Sequence, residues 1–501
     1  MLCMVKTAAL WGLEPYIVRI ETDISSGMPY FNMVGLLASE VKEARERVRV
    51  ALKNSGETLP MSRITVNMSP ADRRKEGVGF DLPIAVSLLC SMGRIDENKI
   101  KDILFVGELG LDGKLRYVKG AIPIILMAKK LGFKKCVLPV DNIRECVGIE
   151  GVDCISFASL REIVSYFNNE DIKVITNEDN EIMETDKATE SFELKDFKDV
   201  YGQEIVKKAF MIAAAGWHHI LLVGSPGIGK SMMAMRMGSI MPDMTEEEKL
   251  QVMIIKSVCG ELQDGKRNIK RPFSAPHHTI TGPALIGGGL YPVPGQITYA
   301  HKGVLFLDEL PEFNEKVIDL LRQPMEERVV KIHRMNGNYV FPADCLIIAA
   351  MNPCRCGYYP DRSKCNCSEV DVQRYGSKIS GPIRDRIDIC LRMDKVLVDS
   401  CDTENNMSSE YMKQKVVNAV EFAKKRQGNL RNGQMKVSEI NKYCVMDEEA
   451  KKLLKNAYVV MDMNMRTYYK IIKISRTIAD LEEKQVIEKK HIAEAMSYRN
   501  G

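Results

Sequence analysis

The run LLVGSPGIGKS at residues 221–231 constrains this chain more than any other feature. It reads as a strand, a glycine-rich loop and the start of a helix, which is the context that the GxxxxGK[ST] phosphate-binding motif requires. Glycines in such a loop let successive backbone N–H groups point at phosphate oxygens, and the helix adds the positive end of its dipole. A turn that merely joins a strand to a helix would explain the glycines but not the Lys-Ser pair. The run therefore predicts a nucleotide site on a parallel-sheet P-loop fold.

The motif assigns a role to each of its positions. We expect Lys230 to hold the β- and γ-phosphates of ATP, and Ser231 to bind a Mg²⁺ ion. ATP and Mg²⁺ are the expected cofactors. The nucleotide-binding residues are Gly224, Ser225, Pro226, Gly227, Ile228, Gly229, Lys230 and Ser231.

Two further apolar runs end in polar residues that suit ATP hydrolysis. The run GVLFLDE ends in Asp308 and Glu309. We expect Asp308 to bind Mg²⁺ through water and Glu309 to polarise the attacking water. An acidic pair alone is common at a solvated strand end, but beside a phosphate loop it predicts catalysis. A third run, residues 346–351, ends at Asn352, whose neutral side chain could orient the same water.

Length indicates several domains, and the β-like and helical runs along the chain predict a multidomain α/β protein. A chain of 501 residues corresponds to about three domains. No apolar stretch reaches the roughly eighteen residues of a membrane span, and the N-terminus lacks the pattern of a secretory signal. We therefore expect a cytoplasmic protein with no membrane partner. The net charge of +4 is small, so that any nucleic-acid site must be local.

Changes in composition divide the chain into four regions. Residues 1–165 mix short β-like runs with helical stretches, as an α+β domain does. Residues 166–196 are rich in acidic and polar residues and read as a solvated linker. Residues 197–397 alternate apolar strands with helices, which predicts a parallel sheet with crossover helices. Residues 398–501 are helix-forming and predict a C-terminal helical lid.

Four motifs outside the phosphate loop carry a family resemblance. They are DVYGQE at 199–204, RPFSAPHH at 271–278, LDELPEF at 307–313 and SGPIRDRID at 380–388. Over essentially its whole length the chain resembles the magnesium-chelatase-like AAA+ ATPases, in particular the ComM/YifB family of bacterial competence-related proteins. The resemblance implies self-association into a closed ring, a hexamer, in which Asn352 acts as sensor 1.

The same resemblance gives two arginines a role. It implies that Arg386 is an arginine finger that reaches the neighbour's γ-phosphate, where it would neutralise charge in the transition state. The alternative is a salt bridge with an adjacent acid, Asp385 or Asp388. Arg466 matches the sensor 2 position. A basic helix face could grip nucleotide or nucleic-acid phosphates, although a solvated stripe is the alternative for its two lysines; the face consists of Arg466, Lys470, Lys473 and Arg476.

Residues 1–165 resemble the Lon-protease (S5-like) fold in KEGVGFD at 75–81 and GELGLDG at 107–113. Catalysis in that fold needs a serine activated by a lysine. The serine position is Gly79 here, and residues 118–123 have an apolar residue where the lysine would fall. Without a nucleophile and a base, peptide hydrolysis has no mechanism. We therefore expect an inactive domain that serves binding or assembly.

Two Cys-x-Cys pairs follow Asn352. Four thiolates within reach of one another suit tetrahedral zinc, and we expect a structural Zn²⁺ at Cys354, Cys356, Cys365 and Cys367. Unligated thiols or a redox-labile loop are the alternatives, because Cys-x-Cys pairs are a weaker signature than Cys-x-x-Cys pairs.

Residues 329–341 predict a β-hairpin with an Asn336-Gly337 type I′ turn. Its position resembles that of the pore hairpin of ring helicases. Lys331, His333 and Arg334 could contact a nucleic-acid backbone there. The alternative is an ordinary surface hairpin whose charges serve solubility.

The leading hypothesis is a ring-forming, ATP-driven DNA motor. The resemblance implies a helicase or branch-migration factor in recombination or natural transformation. The alternative is a chelatase-like ATPase that remodels a protein partner without unwinding DNA. Magnesium insertion into a porphyrin is disfavoured, because the chain carries a Lon-like domain in place of a chelatase-type architecture.

Overall fold

A computed structural model describes residues 2–172, 174–177, 195–262, 269–335, 337–395 and 406–499. The chain forms two compact units. The first consists of Met1–Ser191 and Lys249–Ile269, and the second consists of Phe192–Glu248 and Lys270–Gly501. Each unit has its own β-sheet.

The first unit contains an eight-stranded mixed sheet. Its two longest strands, Leu2–Trp11 and Glu14–Ser25, form an antiparallel pair at the centre. In spatial order the strands are Ile175–Thr176, Asp153–Phe157, Lys135–Pro139, Ile103–Phe105, Leu2–Trp11, Glu14–Ser25, Arg63–Ser69 and Tyr30–Val34. A separate two-stranded ladder joins Glu108–Leu109 to Leu115–Arg116. The helices of this unit are Ser39–Asn54, Asp81–Ser91, Glu97–Lys99 (3-10), Ala121–Lys130, Val140–Cys146 and Leu160–Phe167.

Two hydrophobic cores cover the two faces of this sheet. One core contains Ser39–Asn54 and Asp81–Ser91, and the other contains Ala121–Lys130 and Val140–Cys146. The buried residues of Ser39–Asn54 recur every three or four positions, which is the spacing of one helix face. The α+β character expected of this region is confirmed by its alternation of strands and helices.

The segment Lys249–Ile269 belongs to the first unit, although the sequence analysis placed it in the ATPase region. It contains most of the helix Glu246–Cys259, whose residues Val252 and Ile255 are buried. Ser257 is also buried, where its carbonyl accepts the Gly120 N–H at 2.9 Å. The packing therefore departs from the division by sequence order, because tertiary contacts decide which core a helix joins.

The predicted linker is only partly described. Its residues 178–194 and 173 lie outside the described part of the chain. At its start, Leu160–Phe167 is still helical, and Ile175–Thr176 adds an antiparallel strand to Asp153–Phe157. The described part of the first unit thus reaches residue 177, beyond the predicted boundary at 165.

The second unit is built on a five-stranded parallel sheet. In spatial order its strands are Phe273–Ser274, Val304–Leu307, Leu346–Met351, Ile220–Gly224 and Ile389–Met393. The register places Ile348 between Phe306 and Ile220. The predicted parallel sheet is confirmed. All five carboxyl ends meet at one edge, which is where P-loop folds bind ligands.

Helices surround this sheet, and the C-terminal helices share its core. Ile220, Leu222 and Ile348 pack in one hydrophobic cluster with residues such as Ile471 and Ile474. The helices are Phe197–Asp199 (3-10), Glu204–Gly216, Lys230–Ile240, Gly282–Ile286, Gln296–Tyr299, Leu310–Glu312 (3-10), Glu315–Asp319, Arg322–Glu327, Glu369–Ser377, Gly381–Arg384, Ser409–Gln427, Asn432–Gln434 (3-10), Val437–Tyr443, Glu448–Val460, Met465–Leu481 and Lys489–Ser497. Two short ladders pair Gly287–Gly288 with Val293–Pro294 and Val329–Arg334 with Gly337–Pro342. The predicted boundary at 397/398 falls on residues 396–405, outside the described chain.

Within the described residues, every helix is too short or too polar to cross a bilayer.

Candidate active site

The phosphate loop connects the strand Ile220–Gly224 to the helix Lys230–Ile240. Gly229, the residue before the helix, has a φ of +96°, a left-handed conformation that side chains disfavour. At Gly224 a Cβ atom would lie 2.9 Å from the Met393 carbonyl of the neighbouring strand. Glycine is therefore required at both positions for the loop to keep this shape.

The ammonium group of Lys230 connects the phosphate loop to Asn352. Its Nζ donates to the carbonyl oxygens of Gly224 at 2.6 Å and Ser225 at 2.9 Å, and to Asn352 Oδ1 at 3.0 Å. Burial lowers the pKa of Lys230, while the charges of Asp308 and Glu309 oppose this shift. The lysine and the predicted sensor residue thus lie together at the carboxyl ends of adjacent strands.

The two predicted magnesium ligands are also in contact. Ser231 Oγ donates to Asp308 Oδ2 at 2.6 Å. A hydroxyl and a carboxylate are hard oxygen ligands of the kind that Mg²⁺ prefers, so this pair fits the ion. Glu309 follows with a φ of +51°, and its side chain is 57% exposed.

One residue beside Glu309 was not predicted from the sequence. His278 Nδ1 lies 3.7 Å from Glu309 Oε2, and the His278 ring stacks on that of His277 with 4.0 Å between centroids. The signal for it was present, since both histidines close the RPFSAPHH motif. His278 is positioned to orient the carboxylate that we expect to polarise water.

A cavity of about 610 Å³ opens beside the phosphate loop. Its volume lies within the range of small-molecule sites. Residues 224–229 form one side, Tyr201 lies at another, and Tyr358 and Tyr359 form a third. The predicted nucleotide-binding residues, from Gly224 to Gly229, thus line a space of suitable size.

The two predicted arginines converge on one carboxylate. Glu326 Oε1 lies 2.6 Å from Arg386 Nη2 and 2.9 Å from Arg466 Nη2. The expected alternative for Arg386, a pair with Asp385 or Asp388, does not occur. Among the described residues, neither arginine has a hydrogen bond or ion pair with the phosphate loop.

The expected basic face of the helix Met465–Leu481 is largely buried, so that prediction was wrong. Arg476 is fully buried and forms an ion pair with Asp480 at 3.0 Å. Lys470 is buried too, and it donates to the Ile387 carbonyl at 2.7 Å. Lys473 is half-buried and donates to a backbone carbonyl. The four residues do share one face of the helix, but that face packs against the core. Of the four, only Arg466 is exposed.

Comparisons with known proteins cover almost the whole chain. Three family models match: "Magnesium chelatase, subunit ChlI" at residues 196–400, "Subunit ChlI of Mg-chelatase" at 20–142, and "Magnesium chelatase, subunit ChlI C-terminal" at 406–499. The chain is 37% identical over 500 residues to "Competence protein ComM" of Haemophilus influenzae, with 99% of this chain and 97% of that protein covered. The chain belongs to the ComM/YifB family of magnesium-chelatase-like proteins. It is equally similar, at 37% over 503 residues, to "Uncharacterized protein YifB" of Escherichia coli, with 99% and 97% covered.

Part of this ComM/YifB family member is also similar to a protease. Part of the chain is 28% identical over 153 residues to "Lon protease 2" of Bacillus subtilis, covering 29% of this chain and 28% of that protein. A Cβ atom at Gly79 would lie 3.3 Å from Val106 Cγ1 and 3.7 Å from Val118 Cγ1. The position expected for a serine nucleophile is thus surrounded by apolar side chains that supply no base.

The four predicted cysteine ligands of this family member form one cluster. The four Sγ atoms all lie within 4.8 Å of one another. Cys354 Sγ is 3.3 Å from Cys356 Sγ and 3.7 Å from Cys365 Sγ, and the latter two sulfurs are 3.5 Å apart. Four convergent thiols are a ligand set that suits a tetrahedral metal ion.

The predicted hairpin is confirmed, but its turn lies one residue earlier than expected. The ladder pairs Arg334 with Gly337, so Gly337 begins the second strand and is not a turn residue, while Asn336 lies outside the described residues. All three predicted nucleic-acid contacts are exposed and have intramolecular partners. Lys331 pairs with Glu327 at 2.8 Å, His333 contacts Asn338 at 2.7 Å, and Arg334 donates to the Gly289 carbonyl at 3.2 Å.

Proposed function

We propose that this protein is an ATP-hydrolysing ring motor that acts on DNA, as a helicase or branch-migration factor in recombination or natural transformation. The observation that carries the ATPase part is the pair of contacts Lys230–Asn352 and Ser231–Asp308. These contacts join three parallel strands at one edge. In hydrolysis Lys230 and the Mg²⁺ ligands would stabilise charge on the phosphates, while Glu309 polarises the water.

The position of the arginines supports a closed ring, which the family resemblance makes a hexamer. Arg386 and Arg466 lie together on Glu326 and not at their own phosphate loop. An arginine finger supplied by a neighbouring subunit is the arrangement that would place them at a γ-phosphate. We expect Arg386→Ala to leave ATP binding unchanged and to lower hydrolysis by roughly 10³-fold.

Two observations support DNA as the substrate. The hairpin Val329–Arg334/Gly337–Pro342 presents exposed Lys331, His333 and Arg334, which suit phosphate contacts. The similar Haemophilus protein carries the name "Competence protein ComM". In this proposal the first unit is a Lon-like domain without protease chemistry, which serves assembly or binding.

The test combines hydrolysis with strand displacement on forked and four-way DNA junctions. We expect both to need ATP and Mg²⁺, and Lys230→Ala to abolish them. Glu309→Gln should retain ATP binding and lower hydrolysis about 10²- to 10⁴-fold, whereas Glu312→Gln, a nearby surface control, should change little. If DNA neither stimulates hydrolysis nor is displaced while ATP is hydrolysed, the DNA motor is refuted and remodelling of a protein partner takes its place.

A double substitution tests the hairpin separately. We expect Lys331→Ala with Arg334→Ala to leave basal hydrolysis unchanged and to reduce its stimulation by DNA, with a smaller dependence on salt concentration. Unchanged stimulation would show that the hairpin charges only serve solubility.

A further inference from the structure

The four cysteines lie on a loop that packs against the phosphate loop. We call residues 353–368 the cysteine loop; it starts directly after Asn352. Gly357, in the middle of its first half, has a φ of +88°. A Cβ atom there would lie 2.5 Å from Pro226 Cδ, so the backbone of the cysteine loop touches the phosphate loop itself.

The next residue forms a wall of the nucleotide cavity. Tyr358 is 40% exposed and lines the 610 Å³ cavity together with Pro226 and Gly227. An exposed aromatic ring beside a phosphate loop offers a flat surface on which a nucleotide base can stack. The phosphate loop itself, residues 224–231, contains no aromatic side chain.

The position of this wall depends on the cysteines. Tyr359 is held by Arg362, whose guanidinium lies 5.0 Å from the Tyr359 ring centroid. Arg362 in turn donates to the Cys367 carbonyl at 2.6 Å. On the other side, Arg392 of the strand Ile389–Met393 donates to the Tyr359 carbonyl at 3.1 Å. A displacement of Cys367 would therefore move Arg362 and Tyr359, and with them the adjacent Tyr358.

The sulfur positions fit a metal ion and not a disulfide. With Zn–S bonds of about 2.3 Å, the edges of a ZnS₄ tetrahedron are about 3.8 Å. Three S–S distances in the cluster, 3.3, 3.5 and 3.7 Å, approach that value, whereas disulfide sulfurs lie about 2.05 Å apart. Thiolates select soft or borderline cations, of which tetrahedral Zn²⁺ fits a closed four-cysteine site.

We propose that the four cysteines bind one Zn²⁺ ion and that the zinc-bound cysteine loop is the wall that receives the nucleotide base, so that zinc loading sets the affinity for ATP. The effect of zinc on ATP affinity rests on the proposed nucleotide binding at the phosphate loop, whereas zinc binding itself does not. Zinc cross-links both ends of the loop, between Cys354 and Cys367. Without it, the position of Tyr358 would depend on contacts within and beside the loop, such as the Asp361 N–H that donates to the Tyr358 carbonyl at 2.8 Å.

The test measures the zinc content of the purified full-length protein and its affinity for ATP before and after zinc is removed by a chelator and restored. We expect one zinc per chain, and an ATP Kd that rises about tenfold or more on removal and recovers on restoration. Inorganic tripolyphosphate, which has no base, is the control probe. Its affinity should not change.

Matched variants keep the test valid if the stripped protein loses its fold. Cys367→Ser should lower zinc content and ATP affinity together, Cys367→His should retain both, and Cys259→Ser, a thiol in the first unit, should match the parent. Tyr358→Ala should keep its zinc and weaken ATP about tenfold, while Tyr358→Phe should bind ATP like the parent.

The two halves of the proposal fail in different ways. A parent protein without zinc overturns the metal site. Full zinc with an ATP affinity that responds neither to zinc removal nor to Tyr358→Ala overturns the coupling. Lys230→Ala should keep its zinc and lose ATP and tripolyphosphate; zinc-loaded parent protein that binds neither would instead refute the proposed function.

Discussion

Replacing Asn352 by aspartate would turn a neutral contact of the nucleotide site into an ion pair. Asn352 Oδ1 accepts from Lys230 Nζ at 3.0 Å. The substitution preserves the size and shape of the side chain and adds one negative charge. Because Lys230 is buried, that charge would be screened less than on the surface. We expect Asn352→Asp to hold the ammonium in place and to repel the phosphates.

The expected loss of ATP affinity follows from this distance. Two unit charges 3.0 Å apart at an effective dielectric constant of about 20 attract by about 5.5 kcal/mol, an upper bound because desolvation opposes it. A hydrogen bond to a charged group contributes about 1.5–3 kcal/mol net. ATP must displace this bond to engage Lys230. We therefore expect the Kd for ATP to rise between about 10-fold and 150-fold.

Titration of the protein with a fluorescent ATP analogue in the presence of Mg²⁺ measures this change directly. Asn352→Ala is the matched control, because it removes the acceptor without adding charge. We expect the alanine variant to bind ATP within a few-fold of the parent and to lose hydrolysis. If Asn352→Asp bound ATP as tightly as Asn352→Ala, the contact seen between Lys230 and Asn352 would have no part in nucleotide binding.

Two further predictions concern the second unit. Lys470→Met should lower the free energy of unfolding by roughly 3–5 kcal/mol, because the buried carboxylate of Asp388, 3.6 Å from the Lys470 ammonium, loses this partner. The midpoint of urea unfolding measures the loss. Lys455→Met, a control on an exposed helix face, should unfold like the parent. Burial lowers the pKa of His301 from 6.5 to about 4. Below pH 6.5 His301 is protonated in the unfolded chain but stays neutral in the folded chain. The free energy of unfolding therefore decreases as the pH falls from 6.5 towards 4, by up to about 3 kcal/mol. His301→Asn, which keeps an acceptor for the Asp344 N–H, should flatten the decline of the urea midpoint over this range, and an unchanged decline would assign it to other groups.

Local patterns of the sequence were sufficient to predict the residues of the candidate site and most strands. The phosphate loop is a contiguous motif, and Asp308 and Asn352 each end an apolar run. Parallel strands in one sheet bring such ends to the same edge, so their proximity followed without knowledge of the strand order. Their catalytic roles remain predictions, although the structure brings Lys230, Ser231, Asp308 and Asn352 into contact.

Non-local packing explains what the sequence could not show. The spacing of Lys470 and Arg476 is the same for a solvated and a buried helix face, and only Asp388 and Asp480, brought close by folding, allow their charges to be buried. Likewise, Glu326 is sixty residues from Arg386 in sequence, and no local pattern predicts their contact. The position of the hairpin turn was predicted wrongly because a glycine such as Gly337 can either occupy a turn or begin the strand that follows it.

The assignment of Lys249–Ile269 to the first unit has a consequence for the way the polypeptide matures on the ribosome. The amino-terminal core includes Leu262, so it stays incomplete until part of the second unit has already been synthesised. Cutting the gene near codon 191 would release a fragment with an uncovered apolar face, whereas a fusion that returns 249–269 by a short artificial tether would supply the missing helix. The two units are thus interleaved parts of one chain, and neither can be excised as a contiguous piece.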